Sequence, residues 1–287
     1  MAAADLRIGI DVGGTNTDAV VLDRDERVLA RAKAGTTADV TGGIRAALAL
    51  VLERAAVPAA RITHVMLGTT HATNAVLERR RLERVAVLRI GGPATHAIRP
   101  LFSWPADVRD AVAVGSAIVD GGLEYDGREL APLDRDAAAR FLADVGARAD
   151  AIAITSVFSP VSPEHELAAR DLARELLGAD VPISLGHEVG SLGLIERENA
   201  TVLNAALAGV AREVGGAIGD ALAEHGIAAT VWFAQNDGTL MALEYALRFP
   251  VLTIGSGPAN SLRGAAYLTG ASDAIVADVG GTSTDVG

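Results

Sequence analysis

Short apolar runs bounded by polar turns open the chain, and residues 5–34 read as three β-strands. The first follows the run Leu6 to Ile10; Ala19 to Leu22 and Val28 to Ala30 then flank the polar turn Asp23-Arg24-Asp25-Glu26. The period then lengthens. Ile44, Leu48, Val51 and Leu52 recur at helical spacing, which predicts a helix over 40–56 with Pro58 beyond its end. A strand is expected from Ile62 to Leu67, a helix over 71–81 and a strand from Val85 to Ile90. Residues 91–132 are rich in Gly, Pro and Asp without a clean period and read as an insertion of loops and short strands. A helix over 134–146 and a strand from Ala151 to Thr155 follow. In the next helix Ser162 suits the N-cap, Pro163 the first helical position, and Gly178 the exit. After a short strand, Val181 to Leu185, residues 186–193 read as a linker and 196–225 as one long helix that Gly215-Gly216 would kink. The remaining pattern predicts a strand (Thr230 to Ala234), a helix (239–247), a strand (Val251 to Ile254), a helix (258–269) and a last strand (Ala274 to Val279).

Three strands followed by helix, strand, helix and strand is the order of a ribonuclease-H-like α/β lobe, since parallel strands need helical crossovers. The expected organisation is one lobe over 1–190, with its insertion at about 91–132, and the beginning of a second over 191–287.

One phrase occurs twice. Asp11-Val12-Gly13-Gly14-Thr15-Asn16-Thr17-Asp18 returns as Asp278-Val279-Gly280-Gly281-Thr282-Ser283-Thr284-Asp285, changed only at Asn16 against Ser283. Each copy follows an apolar run, so each reads as a strand entering a tight hairpin. Glycines let the turn take positive φ and let a phosphate approach the backbone, while Thr15 and Thr17 add hydroxyls. Asp11 and Asp18 repel bare phosphate, so two carboxylates beside a phosphate turn imply a divalent cation between them; Mg²⁺, a hard ion that keeps its waters, suits one or two carboxylates. An ordinary Gly-Gly hairpin with Asx turns accounts for one copy; two copies at strand ends favour a clamp for a polyphosphate and its metal.

Other nucleotide-binding turns fit less well. A Walker loop needs Gly-Lys-Ser/Thr, and Lys33, the single lysine, follows no such loop. Gly255-Ser256-Gly257-Pro258-Ala259-Asn260 opens a helix after a strand, but Asn260 stands where a dinucleotide fold places its third glycine; the helix N-terminus there can still take an anion. His165-Glu166 lacks a second histidine four residues on, which disfavours a zinc hydrolase. The absence of cysteine excludes thiol catalysis, disulfides and Cys-based metal sites. A net charge of −11 argues against nucleic-acid or anionic-membrane partners. No signal core or membrane-spanning run is evident, so a cytoplasmic location is expected.

With these turns the chain resembles the actin, sugar-kinase and chaperone-ATPase superfamily, and within it the hydantoinase/oxoprolinase family: ATP-dependent hydantoinases, 5-oxoprolinases and the β-like subunits of ketone carboxylases. Beyond the turns, four stretches carry the resemblance: Gly68-Thr69-Thr70-His71-Ala72-Thr73-Asn74-Ala75-Val76-Leu77-Glu78-Arg79; Ser162-Pro163-Glu164-His165-Glu166-Leu167; Ser184-Leu185-Gly186-His187-Glu188-Val189 with the later Glu196-Arg197; and Ser256-Gly257-Pro258-Ala259. It runs from Ile8 to Gly287. The chain departs from the family at Gln235-Asn236-Asp237-Gly238-Thr239, where Ser-Asp-Gly-Gly is usual, and at Asn260-Ser261, where two glycines are.

The resemblance implies an actin-like ATPase fold, ATP and Mg²⁺ as cofactors, a small cyclic-amide substrate, a second hydantoinase B-like subunit and a possible homo-oligomer. ATP would phosphorylate the amide carbonyl oxygen, leaving a carbon open to water. Asp11 would organise Mg²⁺, with Asp18 and Asp278 as further metal-side carboxylates. Gly13, Gly14, Thr15, Asn16 and Thr17 would cradle one end of the triphosphate; Asp278, Gly280, Gly281 and Thr282 would hold the other, with Ser256 and Gly257 beside them. Thr70 and Asn74 join Asp11 as catalytic candidates, although Thr69 or Thr70 can equally cap a helix. The family continues for hundreds of residues past the second turn, so this chain is expected to be an N-terminal fragment, cut before the second hairpin closes. The alternatives are a ketone-carboxylase subunit, another superfamily kinase, or a non-catalytic nucleotide-dependent regulatory protein or inactive fragment.

Overall fold

A computed structural model describes residues 5–35, 40–145, 148–280 and 284–287. The chain divides into two compact units, residues 1–77 with 210–287, and residues 78–209; residue 190, the expected boundary, lies inside the second.

The first unit is built on a six-stranded sheet. Strands β1 (Leu6–Val12), β2 (Asn16–Leu22) and β3 (Val28–Gly35) form an antiparallel meander. On the other side of β1, β4 (Ile62–Thr69) and β9 (Thr230–Ala234) continue in parallel, and β10 (Leu240–Ala242) closes the order β10-β9-β4-β1-β2-β3. This is the expected ribonuclease-H-like arrangement, but its fifth strand is β9. The sequence reading had placed Val85–Ile90 there. Period-two burial explains how the sheet holds: Leu6, Ile8, Ile10 and Val12 are buried, while Arg7, Gly9 and Asp11 fall on the other face. The buried face packs against Ile44, Ala47, Leu48 and Val51 of α1 (Val40–Ala55) and against Val214, Ile218 and Leu222 of α8 (Ala208–Glu224). The other face is where Asp11 stands.

The second unit holds a parallel sheet in the order β6-β5-β7-β8, from β5 (Val85–Gly92), β6 (Ala113–Asp120), β7 (Ala151–Ser156) and β8 (Ile183–Leu185). Strands β5 and β7 are buried along their whole length, as central parallel strands covered on both faces are. Helices α4 (Arg135–Val145) and α5 (Glu164–Leu177) supply Ala138, Leu142, Ala169 and Ala173 to one core, and α7 (Leu194–Ala206) supplies Val202, Ala205 and Ala206 to another.

Several expectations need correction. Residues 91–132 contain a helix, α3 (Ala106–Val112), and the full strand β6. As an edge strand β6 is mostly half-buried, which is why it shows no clean period. The supposed linker after β8 includes a helical turn, α6 (Gly186–Val189). The long helix breaks at Leu207, between α7 and α8, and α8 runs unbroken through Gly215. A Cβ on Gly215 would lie 2.9 Å from Leu247 Cδ2, so this glycine admits the neighbouring helix α9 (Leu243–Arg248) instead. Helix α5 starts at Glu164 with no side-chain cap, so Ser162 does not act as expected. Residues 250–253 form a 3-10 turn, with Thr253 Oγ1 donating to the Pro250 carbonyl at 2.7 Å, and not a strand. The strands flanking the second phosphate turn, β11 (Ala277–Val279) and β12 (Thr284–Val286), pair as a separate two-stranded sheet; residues 281–283 lie outside the described residues. Among the described residues no helix is long and apolar enough to cross a membrane.

Candidate functional site

The candidate site lies in the first unit, where β1 and β4 end and helices α2 (His71–Glu78) and α10 (Ser256–Thr269) begin. Parallel register sets Asp11 beside Gly68, and antiparallel register sets it beside Asp18. Gly68 matters because of what it lacks. A Cβ there would come within 2.8 Å of both Asp11 Oδ1 and Asn260 Nδ2, so the two side chains share the space above the glycine. The Asp11–Asp18 hairpin is closed by the Gly13 amide donating to the Asn16 carbonyl at 3.0 Å. Gly14, Thr15 and Asn16 are exposed at its tip.

The loop after β4 is tied to the same turn. The Thr70 amide donates to the Val12 carbonyl at 3.2 Å, and its hydroxyl reaches the same oxygen at 3.4 Å. Asn74 Nδ2 donates to Thr70 Oγ1 at 3.3 Å, so Asn74 supports Thr70. Thr69 acts as the helix cap: its Oγ1 accepts from the His71 amide at 3.2 Å and meets His71 Nδ1 at 2.8 Å. Helix α10 is pinned to this loop at its first turn. Gly255, in the left-handed region at φ 79°, donates its amide to Thr73 Oγ1 at 3.0 Å, and Ser256 Oγ donates to the Thr69 carbonyl at 3.2 Å. Gly257 faces Thr70, where a Cβ would lie 3.2 Å from the threonine methyl.

The second phosphate turn joins through α10. Ser261 Oγ donates to Asp278 Oδ2 at 2.5 Å. Asp11, Asp18, Lys33, Gly68, Asn260 and Ser261 line one cavity of about 1050 Å³, a volume in the range of small-molecule sites. Solvent reaches Asp11, yet protein surrounds it. That desolvation, then the charge of Asp18, then that of Asp278, holds the Asp11 carboxyl above the usual carboxylate range. Asp18 is also paired with Lys33 at 3.3 Å.

The structure thus brings together Asp11, Asp18, Thr70, Asn74, Gly257 and Asp278. Thr17 and Ser256 are wholly buried, and Ser256 serves the α10 anchor. Gly280 is exposed. Gly281 and Thr282 lie outside the described residues. Sequence reasoning missed Lys33 as the partner of Asp18 and Ser261 as the partner of Asp278.

Like charges around an open cavity suit a cation. Among the described residues no three acidic or histidine side chains gather as a complete metal-ligand set. The donors present therefore fit an ion that takes one or two carboxylates and completes its shell with water and phosphate oxygens, as Mg²⁺ does.

Gly68→Ala gives a direct check on this geometry. The atoms it crowds are the ends of two short side chains, so the fold is expected to survive with less than about 1 kcal/mol lost in urea unfolding. If the cavity takes a metal-bound nucleotide, displacing Asp11 and Asn260 should weaken its binding by about tenfold or more in calorimetric titration. Wild-type affinity would remove both side chains from the site.

Two histidines of the second unit are held by hydrogen bonds within it. His165 Nδ1 accepts from the Gly122 amide at 2.9 Å, and His187 Nδ1 meets the buried Glu166 Oε2 at 2.6 Å. Arg197 does not pair with Glu196; its guanidinium donates to the carbonyls of Ser156, Ser191 and Leu192.

Comparison with known proteins places the chain. The profile described as the hydantoinase/oxoprolinase N-terminal region matches residues 7–177, and that described as hydantoinase/oxoprolinase matches residues 197–287. Caprolactamase subunit alpha of Pseudomonas jessenii is 29% identical over 305 residues, covering 100% of this chain and 44% of the relative. The acetophenone carboxylase gamma subunit of Aromatoleum aromaticum is 29% identical, covering 97% of this chain and 42% of the relative. The chain therefore spans less than half the length of these curated relatives. Among solved structures, nucleotide-free acetone carboxylase superposes with a TM-score of 0.82 at 23% identity, over 99% of this chain and 44% of that one. ATP-dependent caprolactamase from Pseudomonas jessenii superposes with a TM-score of 0.75 at 28% identity, over 98% of this chain and 43% of that one. The α/β architecture is of the actin-like ATPase type, and the chain belongs to the hydantoinase/oxoprolinase family.

Proposed function

We propose that this chain forms part of an ATP-dependent enzyme that opens a cyclic amide, of the hydantoin, 5-oxoproline or lactam kind, by phosphorylating its carbonyl oxygen. The observation that carries this reading is that Asp11, Asn260 and Ser261 line one cavity, while hydrogen bonds tie the Thr70 loop to the Asp11 turn, the start of α10 to that loop, and Asp278 to Ser261. The similarity to a caprolactamase subunit supports the cyclic-amide substrate.

The amide carbonyl is resonance-stabilised and a poor electrophile. Transfer of the γ-phosphoryl group to its oxygen leaves an imidoyl phosphate. Water then adds at carbon, and the ring C–N bond breaks with the nitrogen leaving as a protonated amine. A second water attacks the carbon of the resulting acyl phosphate, so that phosphate departs with the former carbonyl oxygen and a carboxylate remains. Positioning and charge stabilisation are the protein's share in such a transfer. Asp11 would hold Mg²⁺, with Asp18 and Asp278 nearby; the ion supplies charge neutralisation on the phosphates. Gly14 and Thr15, at the open tip of the first turn, would offer amides and a hydroxyl to one end of the triphosphate, while the Gly13 amide closes the turn on the Asn16 carbonyl. The second copy of the phrase, Gly280, Gly281 and Thr282, would hold the other end. The α10 N-terminus at Gly257 adds a partial positive charge. Thr70, braced by Asn74, faces that terminus and would contact the transferring group.

We read residues from about 191 as the beginning of a second hydantoinase A domain, cytoplasmic in location and paired with a second subunit; the naming of relatives as subunits supports the latter. The second functional reading is a ketone-carboxylase subunit, favoured by the match to the acetophenone carboxylase gamma subunit.

An isotope experiment separates them. With an ¹⁸O-carbonyl lactam, ATP-dependent ring opening is expected to place the label in released phosphate, read by mass spectrometry. Ring opening with unlabelled phosphate would refute carbonyl phosphorylation. ATP turnover raised by ketone and bicarbonate, with no response to any lactam, would select the carboxylase reading.

A further inference from the structure

We propose that α10 is the strut that registers the second phosphate turn against the first, with Ser261 as the residue that positions Asp278. The proposal rests on the metal–nucleotide reading above and adds a role for residues that reading leaves unused.

The strut is fixed at one end. Ser256 Oγ bonds the Thr69 carbonyl and the Gly255 amide bonds Thr73 Oγ1, so the first turn of α10 is set by the β4–α2 loop. That loop is itself bonded to Val12 of the first phosphate turn. One turn further along α10, two consecutive residues face the two acidic groups. Asn260 Nδ2 shares with Asp11 Oδ1 the space above Gly68, and Ser261 Oγ holds Asp278 Oδ2 at 2.5 Å. Both residues line the cavity that Asp11 lines. The far end of the hairpin rests on the same helix: a Cβ on Gly287 would lie 2.8 Å from Leu262 Cδ1.

The bond matters for Asp278, whose side chain has Ser261 as its hydrogen-bond partner among the described residues. Its strand belongs to an exposed two-stranded ribbon, and such ribbons are marginal alone. An exposed aspartate there samples several rotamers, and Asp11 repels it from the shared volume. A short hydroxyl–carboxylate bond selects one rotamer and offsets that repulsion. Ser261 touches no reacting atom in this scheme; it acts through Asp278.

Manganese serves as the probe, since it replaces Mg²⁺ and is read by electron paramagnetic resonance without turnover. Mn²⁺ would be titrated into the protein with ATP for the wild type, Ser261→Ala, Ser261→Thr and Asp11→Asn. Asp11→Asn should abolish Mn-ATP binding, which tests the underlying reading. Ser261→Ala should weaken it by about tenfold with an unchanged urea midpoint, and Ser261→Thr, which keeps the hydroxyl, should restore it. Wild-type binding in Ser261→Ala alongside loss in Asp11→Asn overturns the strut proposal and leaves the site reading standing. Unchanged binding in Asp11→Asn overturns both. Equal loss in the Ala and Thr variants also sinks the proposal, because a hydroxyl bond would then not be the cause.

Discussion

Asp11→Asn is expected to make the ligand-free chain more stable at neutral pH while abolishing nucleotide turnover. In the folded protein the Asp11 carboxyl titrates above its ordinary value of 3.8, because of desolvation first and of Asp18 and Asp278 next. The folded state therefore holds this proton more tightly than the unfolded chain does. Ionising Asp11 disfavours folding, and the penalty develops as pH rises from 3.8 through the raised value. Asparagine carries no such charge. Its advantage should be complete at neutral pH and shrink to nothing as pH falls toward 3.8. Water screens the site, so the gain is under about 1 kcal/mol, readable as a small rise in melting temperature. Turnover should fall by about a thousandfold or more, the scale of losing a charge-stabilising group at a phosphoryl-transfer site. A variant less stable than wild type at neutral pH, or one that keeps its turnover, would remove Asp11 from the role assigned here.

The largest stability effect is expected in the other unit, at Glu198→Ala. Arg89 and Glu198 are almost wholly buried and form a two-pronged pair, with Arg89 Nε 2.6 Å from Oε2 and Nη2 2.7 Å from Oε1. The same cluster fastens the segment after β5: Arg89 Nη1 donates to the Ile98 carbonyl at 2.5 Å, and the Leu101 amide donates to Glu198 Oε1 at 3.3 Å. Removing the carboxylate leaves a guanidinium buried without its counter-charge and frees one backbone amide. Such losses cost about 3–5 kcal/mol. Urea unfolding should show it as a shift confined to the transition of residues 78–209. The double variant Arg89→Met with Glu198→Leu should recover most of the loss, because an apolar pair avoids burying a lone charge. A loss under about 1 kcal/mol in Glu198→Ala would mean that water reaches the pair.

These residues also show what a sequence discloses. Leu6, Ile8, Ile10 and Val12 alternate in burial, and Ile44, Leu48 and Val51 recur at helical spacing, so β1 and α1 were legible from local pattern. The sheet to which a strand belongs is not a local property. Val85–Gly92 is buried along its whole length, which marks a central strand but does not name its partners. The first sheet takes its fifth strand from Thr230–Ala234, whose register with His64–Leu67 spans the entire second unit. The candidate site divides in the same way. The paired Asp-x-Gly-Gly-Thr turns declared themselves by repetition. The Ser261–Asp278 contact did not, because no spacing rule connects a helix residue to a strand that follows a loop; the Lys33–Asp18 pair depends on the β2–β3 register, which a bulge between Val21 and Leu22 shifts. Thr17 looked like an open hydroxyl until the strand pairing set it beside Val12 and buried it.

The register between β4 and β9 also bears on how the chain is made. As it leaves the ribosome, β4 appears early and its neighbour β9 only after residues 78–209 have emerged. Through that interval the first sheet has one edge of backbone amides and carbonyls unpaired, a template for other chains. The intervening residues can finish their own four-stranded sheet meanwhile, and the Glu83 amide donates to the Ala206 carbonyl at 2.8 Å, drawing their two ends together. Synthesis thus runs from a half-made sheet, through a completed guest, and back to the host. The delay before β9 arrives is the window in which this chain is most exposed to aggregation.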